Sequence, residues 1–133
     1  MNDRMNDRTM SAPITRVRPP VRGASHIRLL VADDHALLRQ ALRVLLEAQD
    51  GLEVVGEATN GRDAVEAAER LQPDVVLMDM VMPGLNGIEA TRQIVKRSPS
   101  TRVLILTAYL EDERLLQALR AGAAGYVVKN SDM

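Results

Sequence analysis

Five strongly polar side chains stand directly after short apolar runs. Asp33 and Asp34 follow Ile27 to Ala32, Asp79 follows Val75 to Met78, Thr107 follows Val103 to Leu106, and Lys129 follows Tyr126 to Val128. If those runs are parallel strands of one open sheet, their carboxyl ends line a single crevice, the place where such sheets bind ligands. Two or three carboxylates brought together repel, and a divalent cation is their natural neutraliser. Oxygen ligands with no His or Cys among them suit a hard cation, and magnesium held by few carboxylates keeps positions open for water and phosphate oxygens. Lys129 supplies a mobile positive charge and Thr107 a hydroxyl, both suited to the oxygens of a transferring phosphoryl group. A carboxylate can itself be the nucleophile, forming an acyl phosphate. Phosphoryl transfer asks mainly for positioning and charge neutralisation, and this set offers both. Any single Asp after a strand is more often a turn former or helix cap; the joint placement of five groups is what favours chemistry. His35, beside the acidic pair, reads as a first-turn helix residue rather than a general base.

The elements that must carry these groups follow from periodicity. Between the apolar runs lie helical stripes: Leu38, Leu42, Leu45 and Leu46 within 36–48, Ala64, Ala68 and Leu71 after Asn60, and Ile88, Thr91, Ile94 and Val95 after Asn86. Asn60 with Asp63, and Asn86 with Glu89, have the spacing of helix N-caps. Glu111, Asp112 and Glu113 open a further helix, where acidic residues suit the dipole, and it runs through Leu115, Leu116 and Leu119 to Gly122. Leu52 to Ala58 completes a set of five strands. Alternating strands and helices imply right-handed crossovers and a parallel sheet. The runs 75–78 and 103–106 are apolar at every position, as a sheet covered on both faces requires. The expected fold is an α/β three-layer sandwich.

The chain has 133 residues, enough for one domain. With no Phe, no Trp and two Tyr, its core must be aliphatic. The absence of cysteine removes disulfides and thiolate chemistry and is compatible with the cytoplasm. A net charge of −1 demands neither nucleic acid nor an acidic membrane as partner. No apolar run approaches the roughly 20 residues of a membrane helix, so no membrane association is expected. Residues 1–25 differ from the rest. They hold a direct repeat, Met-Asn-Asp-Arg, then three prolines among arginines, with no period and little to bury. They read as a disordered tail, leaving 26–133 as the folded domain.

Four motifs carry a resemblance: Leu30-Val31-Ala32-Asp33-Asp34-His35, the run from Val76 through Asp79 and Pro83 to Gly87, Ile105-Leu106-Thr107-Ala108, and the run from Gly122 to Lys129. In this order they resemble the receiver domain of two-component response regulators over residues 27–133. The resemblance implies a flavodoxin-like doubly wound sheet of order 2-1-3-4-5. It implies that Asp79 accepts a phosphoryl group from a sensor histidine kinase. Asp34 and Asp79 would bind magnesium by side chain, Val81 by its backbone carbonyl, and Asp33 through the metal's waters. Lys129 would pair with the phosphoryl group, Thr107 would move to contact it, and Tyr126 would turn inward as a switch. Apart from the resemblance, bulky Tyr109 and apolar Val81 would flank the phosphoryl group and hinder the attacking water, prolonging the phosphorylated state, with plain packing the alternative reading of Tyr109.

The wording around Asp33, Gly87 and Gly122 is similar to the NarL/FixJ subgroup, whose members bind DNA through a C-terminal helix-turn-helix domain. Receivers usually close with a helix after the lysine. This sequence stops at Met133, so the expectation is a receiver cut before that helix and before the DNA-binding domain. Phosphorylation-dependent homodimerisation belongs to the same expectation. The chain is expected to catalyse only its own phosphorylation and dephosphorylation. Two other readings are a magnesium phosphohydrolase and a receiver that signals without phosphorylation. The first normally needs a second Asp where Val81 stands; the second conflicts with the intact Asp34, Asp79, Thr107 and Lys129.

Overall fold

The computed structural model describes residues 26–108 and 113–129. The expected tail (1–25), Tyr109, the acidic helix start at Glu111 and Asp112, and the last four residues lie outside the described residues.

The chain alternates as the periodicity requires: β1 (Ile27–Ala32), α1 (Ala36–Glu47), β2 (Leu52–Ala58), α2 (Gly61–Leu71), β3 (Val75–Asp79), α3 (Gly87–Arg97), β4 (Arg102–Thr107), α4 (Glu113–Arg120) and β5 (Gly125–Val128). All pairings are parallel and the strand order is β2-β1-β3-β4-β5. This is the expected doubly wound sheet, with the direction of winding reversing between β1 and β3. The carboxyl ends of β1 and β3 therefore open side by side.

Two helices start where asparagine caps them. Asn60 Oδ1 accepts from the Asp63 amide at 2.8 Å, and Asn86 Oδ1 from the Glu89 amide at 3.0 Å. Each bond satisfies an amide that the first helical turn leaves without a partner. His35 occupies the N-cap position of α1, but its side chain makes no cap hydrogen bond.

The two faces of the sheet are covered unequally. On one face α2, α3 and α4 bury a continuous core that includes Leu30, Ala64, Ala68, Val76, Met78, Ile94, Ile105 and Leu115. On the other, Val31, Val54, Leu77 and Leu106 pack against Leu42 and Leu46 of α1. No residue of α1 is buried. The expected α1 stripe is therefore partly corrected: Leu38, Leu42 and Leu46 are half-buried, whereas Leu45 is 56% exposed. In α4 the buried residues are Leu115 and Ala118, and Leu116 points outward. A periodic pattern fixes which residues share a face, but only a packed neighbour decides how wide the buried face is.

Candidate functional site at the carboxyl ends of the strands

β1 delivers the acidic pair. The Asp33 amide still pairs with the Ala58 carbonyl at 3.0 Å, so Asp33 leaves the sheet under strand geometry. Its side chain is fully buried. Oδ1 accepts from the His35 amide at 2.8 Å and is hydrogen-bonded to the His35 ring Nδ1 at 3.1 Å, while among the described residues Oδ2 has no hydrogen-bond partner. Asp34 next to it is partly open to solvent. Arg39, one turn into α1, braces this corner. Its guanidinium donates to the Asp33 carbonyl at 2.8 Å and to Glu57 at 2.9 Å. Arg43 donates to the same Glu57 carboxylate at 2.6 Å. Arg43 first, and Arg39 with it, hold the Glu57 carboxyl below its ordinary range.

β3 delivers Asp79, which is buried. Burial is the main force raising its pKa above the ordinary aspartate value, and the Asp33 charge adds to it. Lys129 and the Val81 amide act in the opposite direction, the amide reaching Asp79 Oδ1 at 3.4 Å. The Val81 side chain is exposed. The chain after Asp79 turns into α3 through a close approach at Gly87. A Cβ there would lie 2.3 Å from the Asp79 carbonyl oxygen, and the Gly87 amide donates to the Met80 carbonyl at 2.9 Å. Only glycine fits, so the backbone bearing Asp79 and the start of α3 are held against each other.

β4 and β5 bring the remaining groups. Thr107 is buried at the end of β4. Its carbonyl accepts from the Lys129 amide at 2.6 Å, which anchors Lys129 beside it. Lys129 Nζ lies 3.5 Å from Asp79 Oδ1 and 3.6 Å from Asp33 Oδ2. Tyr126, expected as a switch, is half exposed on β5.

Ligand atoms of Asp33, Asp34, His35 and Asp79 all lie within 4.8 Å of one another. A divalent cation fits this set: among the described residues, carboxylate oxygens converge, one of them buried and without a hydrogen bond, against a single nearby ammonium. His35 is the member that sequence reasoning missed. Its ring Nδ1 stands 3.1 Å from Asp33 Oδ1 and 3.3 Å from Asp34 Oδ1. The available signal was its position directly after two aspartates.

A family model described as the response regulator receiver domain matches residues 29–133. The chain belongs to this family. Transcriptional regulatory protein LiaR of Bacillus subtilis is 44% identical over 105 residues, 79% of this chain and 50% of that protein. Response regulator GacA of Pseudomonas viridiflava is 45% identical over 107 residues, 80% of this chain and 50% of that protein. The chain thus spans about half the length of these curated relatives. Among solved structures, a LuxR-family two-component response regulator from Aurantimonas sp. SI85-9A1 superposes with a TM-score of 0.76 at 41% identity. It covers 81% of this chain and 77% of that one. The response regulator domain of Thermotoga maritima CheB gives 0.74 at 42% identity, covering 77% and 78%. The LuxR-family likeness agrees with the subgroup expected from the motifs. Receiver domains are modules of phosphorylation-dependent signalling rather than members of a metabolic enzyme family. Among the described residues of this receiver, no helix is long and apolar enough to cross a membrane.

Proposed function

We propose that Asp79 is the phosphoryl acceptor of this receiver and that a sensor histidine kinase is its donor. The observation that carries the proposal is the pairing of a buried, like-charged carboxylate set with one ammonium, Lys129, 3.5 Å from Asp79. An Asp79 oxygen attacks phosphorus, the P–N bond to the donor histidine breaks, and an acyl phosphate P–O bond forms. The donor imidazole leaves with the electron pair of the broken bond. Asp34 and Asp79 would hold magnesium with the Val81 carbonyl, and Asp33 would hold its waters. Bound there, the ion neutralises the phosphoryl oxygens and the carboxylates together. Lys129 screens Asp33 and Asp79 before transfer and pairs with the phosphoryl group afterwards. Thr107, buried at the end of the neighbouring strand, would move toward that group, and Tyr126, half exposed on β5, would turn inward.

The receiver turns over no external substrate in this reading. A phosphohydrolase would need an acid at Val81, whose exposed side chain is aliphatic. The folded unit is 26–133, with 1–25 as its tail. The setting is the cytoplasm, where a kinase presents its phosphohistidine. The half of the relatives' length beyond the match would supply the output, a DNA-binding helix-turn-helix domain, with homodimerisation on phosphorylation. Acetyl phosphate with magnesium should add about 80 Da to the chain by mass spectrometry (the mass of one phosphoryl group), and Asp79→Asn should abolish it. Failure of the wild type to be modified or to bind beryllofluoride would refute the proposal.

A further inference from the structure

We infer that His35 is a metal ligand, so that the acidic site takes imidazole-preferring divalent transition metals, zinc foremost. The inference rests on the proposed acidic metal site and adds a nitrogen donor to it. Donors about 2.0–2.2 Å from one ion are separated by about 3.0–3.4 Å when adjacent in octahedral or tetrahedral coordination. His35 Nδ1 stands 3.1 Å from Asp33 Oδ1 and 3.3 Å from Asp34 Oδ1, within that range. Asp33 and Asp79 are buried, so their oxygens cannot swing away to water. Among the described residues, Asp33 Oδ2 is buried without a hydrogen bond, with only the Lys129 ammonium 3.6 Å away, so it remains available to a ligand in the cluster.

His35 has no competing duty on its helix. It sits at the N-cap of α1 without capping it, and its ring, 68% exposed, is hydrogen-bonded through Nδ1 to Asp33 Oδ1, which already turns it toward the carboxylates. Its backbone amide, bonded to Asp33 Oδ1 at 2.8 Å, fixes the base of the ring beside the carboxylates. Three carboxylates with one imidazole make a four-donor set. Magnesium gains little from nitrogen, whereas the order of transition-metal affinity and zinc's taste for imidazole favour ions that use all four. A four-coordinate zinc closed by Asp33, Asp34, Asp79 and His35 has no position left for a phosphoryl oxygen. It also engages the Asp79 carboxylate, so it antagonises phosphorylation where magnesium supports it.

The test uses the full chain stripped of metal, titrated separately with zinc, magnesium and cobalt(II). In His35→Ala the ratio of zinc to magnesium affinity should fall at least about tenfold, a loss that even a ligand's orienting partner can cause. Cobalt(II) should give intense four-coordinate visible bands in the wild type that weaken in the variant. His35→Gln, which keeps a hydrogen-bonding side chain without an imidazole, should behave like His35→Ala. Wild-type behaviour of His35→Gln means His35 only hydrogen-bonds to Asp33, and overturns the inference. An unchanged affinity ratio and cobalt spectrum in His35→Ala overturn it equally. Asp34→Asn separates the two readings: it should weaken magnesium and zinc together. If it weakens both while His35→Ala changes neither, the acidic site stands and the nitrogen ligand falls.

Discussion

Replacing Asp79 by asparagine should make the receiver more stable when no divalent cation is present. The substitution removes a charge from an ion pair, yet that charge is held against its neighbours. Carboxylate oxygens of Asp33 and Asp34 lie within 4.8 Å of Asp79, and one like-charge pair at that distance costs roughly 3.5 kcal/mol at an effective dielectric of about 20. Asp34 is a third exposed, so water screens away roughly half of its share. Lys129 at 3.5 Å returns roughly 5 kcal/mol on the same basis. The pairwise forces therefore nearly cancel, and the cost of burying the carboxylate sets a net penalty on the order of 1–2 kcal/mol. Lys129 is not stranded by the substitution, because Asp33 Oδ2 is already 3.6 Å from it. Urea unfolding followed by far-UV circular dichroism in EDTA at pH 7.5 measures the difference. The folded-state pKa of Asp79 is raised, so the folded chain binds a proton that the unfolded chain has already released. Wild-type stability accordingly falls as pH rises from the unfolded value, about 3.9, through the folded one, and the advantage of Asp79→Asn grows over that window. Magnesium should reverse the order, since a ligand at about 100 times its dissociation constant adds about 2.7 kcal/mol to whichever chain binds it. If Asp79→Asn is no more stable than wild type in EDTA, or if its advantage is flat with pH, the picture of a charge held against its neighbours is refuted.

Gly87→Ala should cost about 3 kcal/mol by urea unfolding, because its Cβ meets the Asp79 carbonyl at 2.3 Å and backbone cannot yield cheaply. Arg39→Ala should cost about 2 kcal/mol, since it frees the Asp33 carbonyl and one bond to Glu57; a carboxyl titration by NMR should show the Glu57 pKa moving upward toward its ordinary value. Amides of α1 should exchange with deuterium well before those of α2 and α3, because no α1 side chain is buried while Ala64, Ala68, Ala90 and Ile94 are. Equal protection of the three helices would contradict that ordering.

What the sequence made legible follows from what each signal encodes. The runs 75–78 and 103–106 are apolar at every position, and β3 and β4 are covered on both faces. Their terminal polar residues then had one place to go. Asn60 and Asn86 announced their helices because cap chemistry is local, and both cap bonds form. The exposure of Leu45 and Leu116 was hidden because it depends on which helices have neighbours. Arg39 was hidden for a similar reason: an arginine inside a helix reads as a solvated residue, and only the turn at Asp33 brings a carbonyl within its reach. His35 read as an ordinary first-turn residue because its meaning lies in the angle at which the chain leaves β1, which puts its ring over two carboxylates.

The layers also divide the site between a firm side and a loose one. Asp79 is fixed from the thick layer: Val76 and Met78 before it are fully buried there, and Gly87 closes against its carbonyl. Its counter-ion is not so fixed. Lys129 follows an edge strand in which Tyr126 and Val127 are both more than 40% exposed. Beside it runs an open groove of about 490 Å³ lined by His35, Leu37, Leu38, Ala41 and Lys129. The charge balance at the buried carboxylates is thus set from an edge strand, held through the Lys129 amide to the Thr107 carbonyl on one side only. Negative charge added at Asp79 strengthens the pull on Lys129, and through its amide bond to the Thr107 carbonyl it tightens the end of β5 onto β4. Under the proposed function, β5 and the groove beside it are expected to respond to phosphorylation together with Thr107, because Gly87 holds the Asp79 carbonyl against the start of α3.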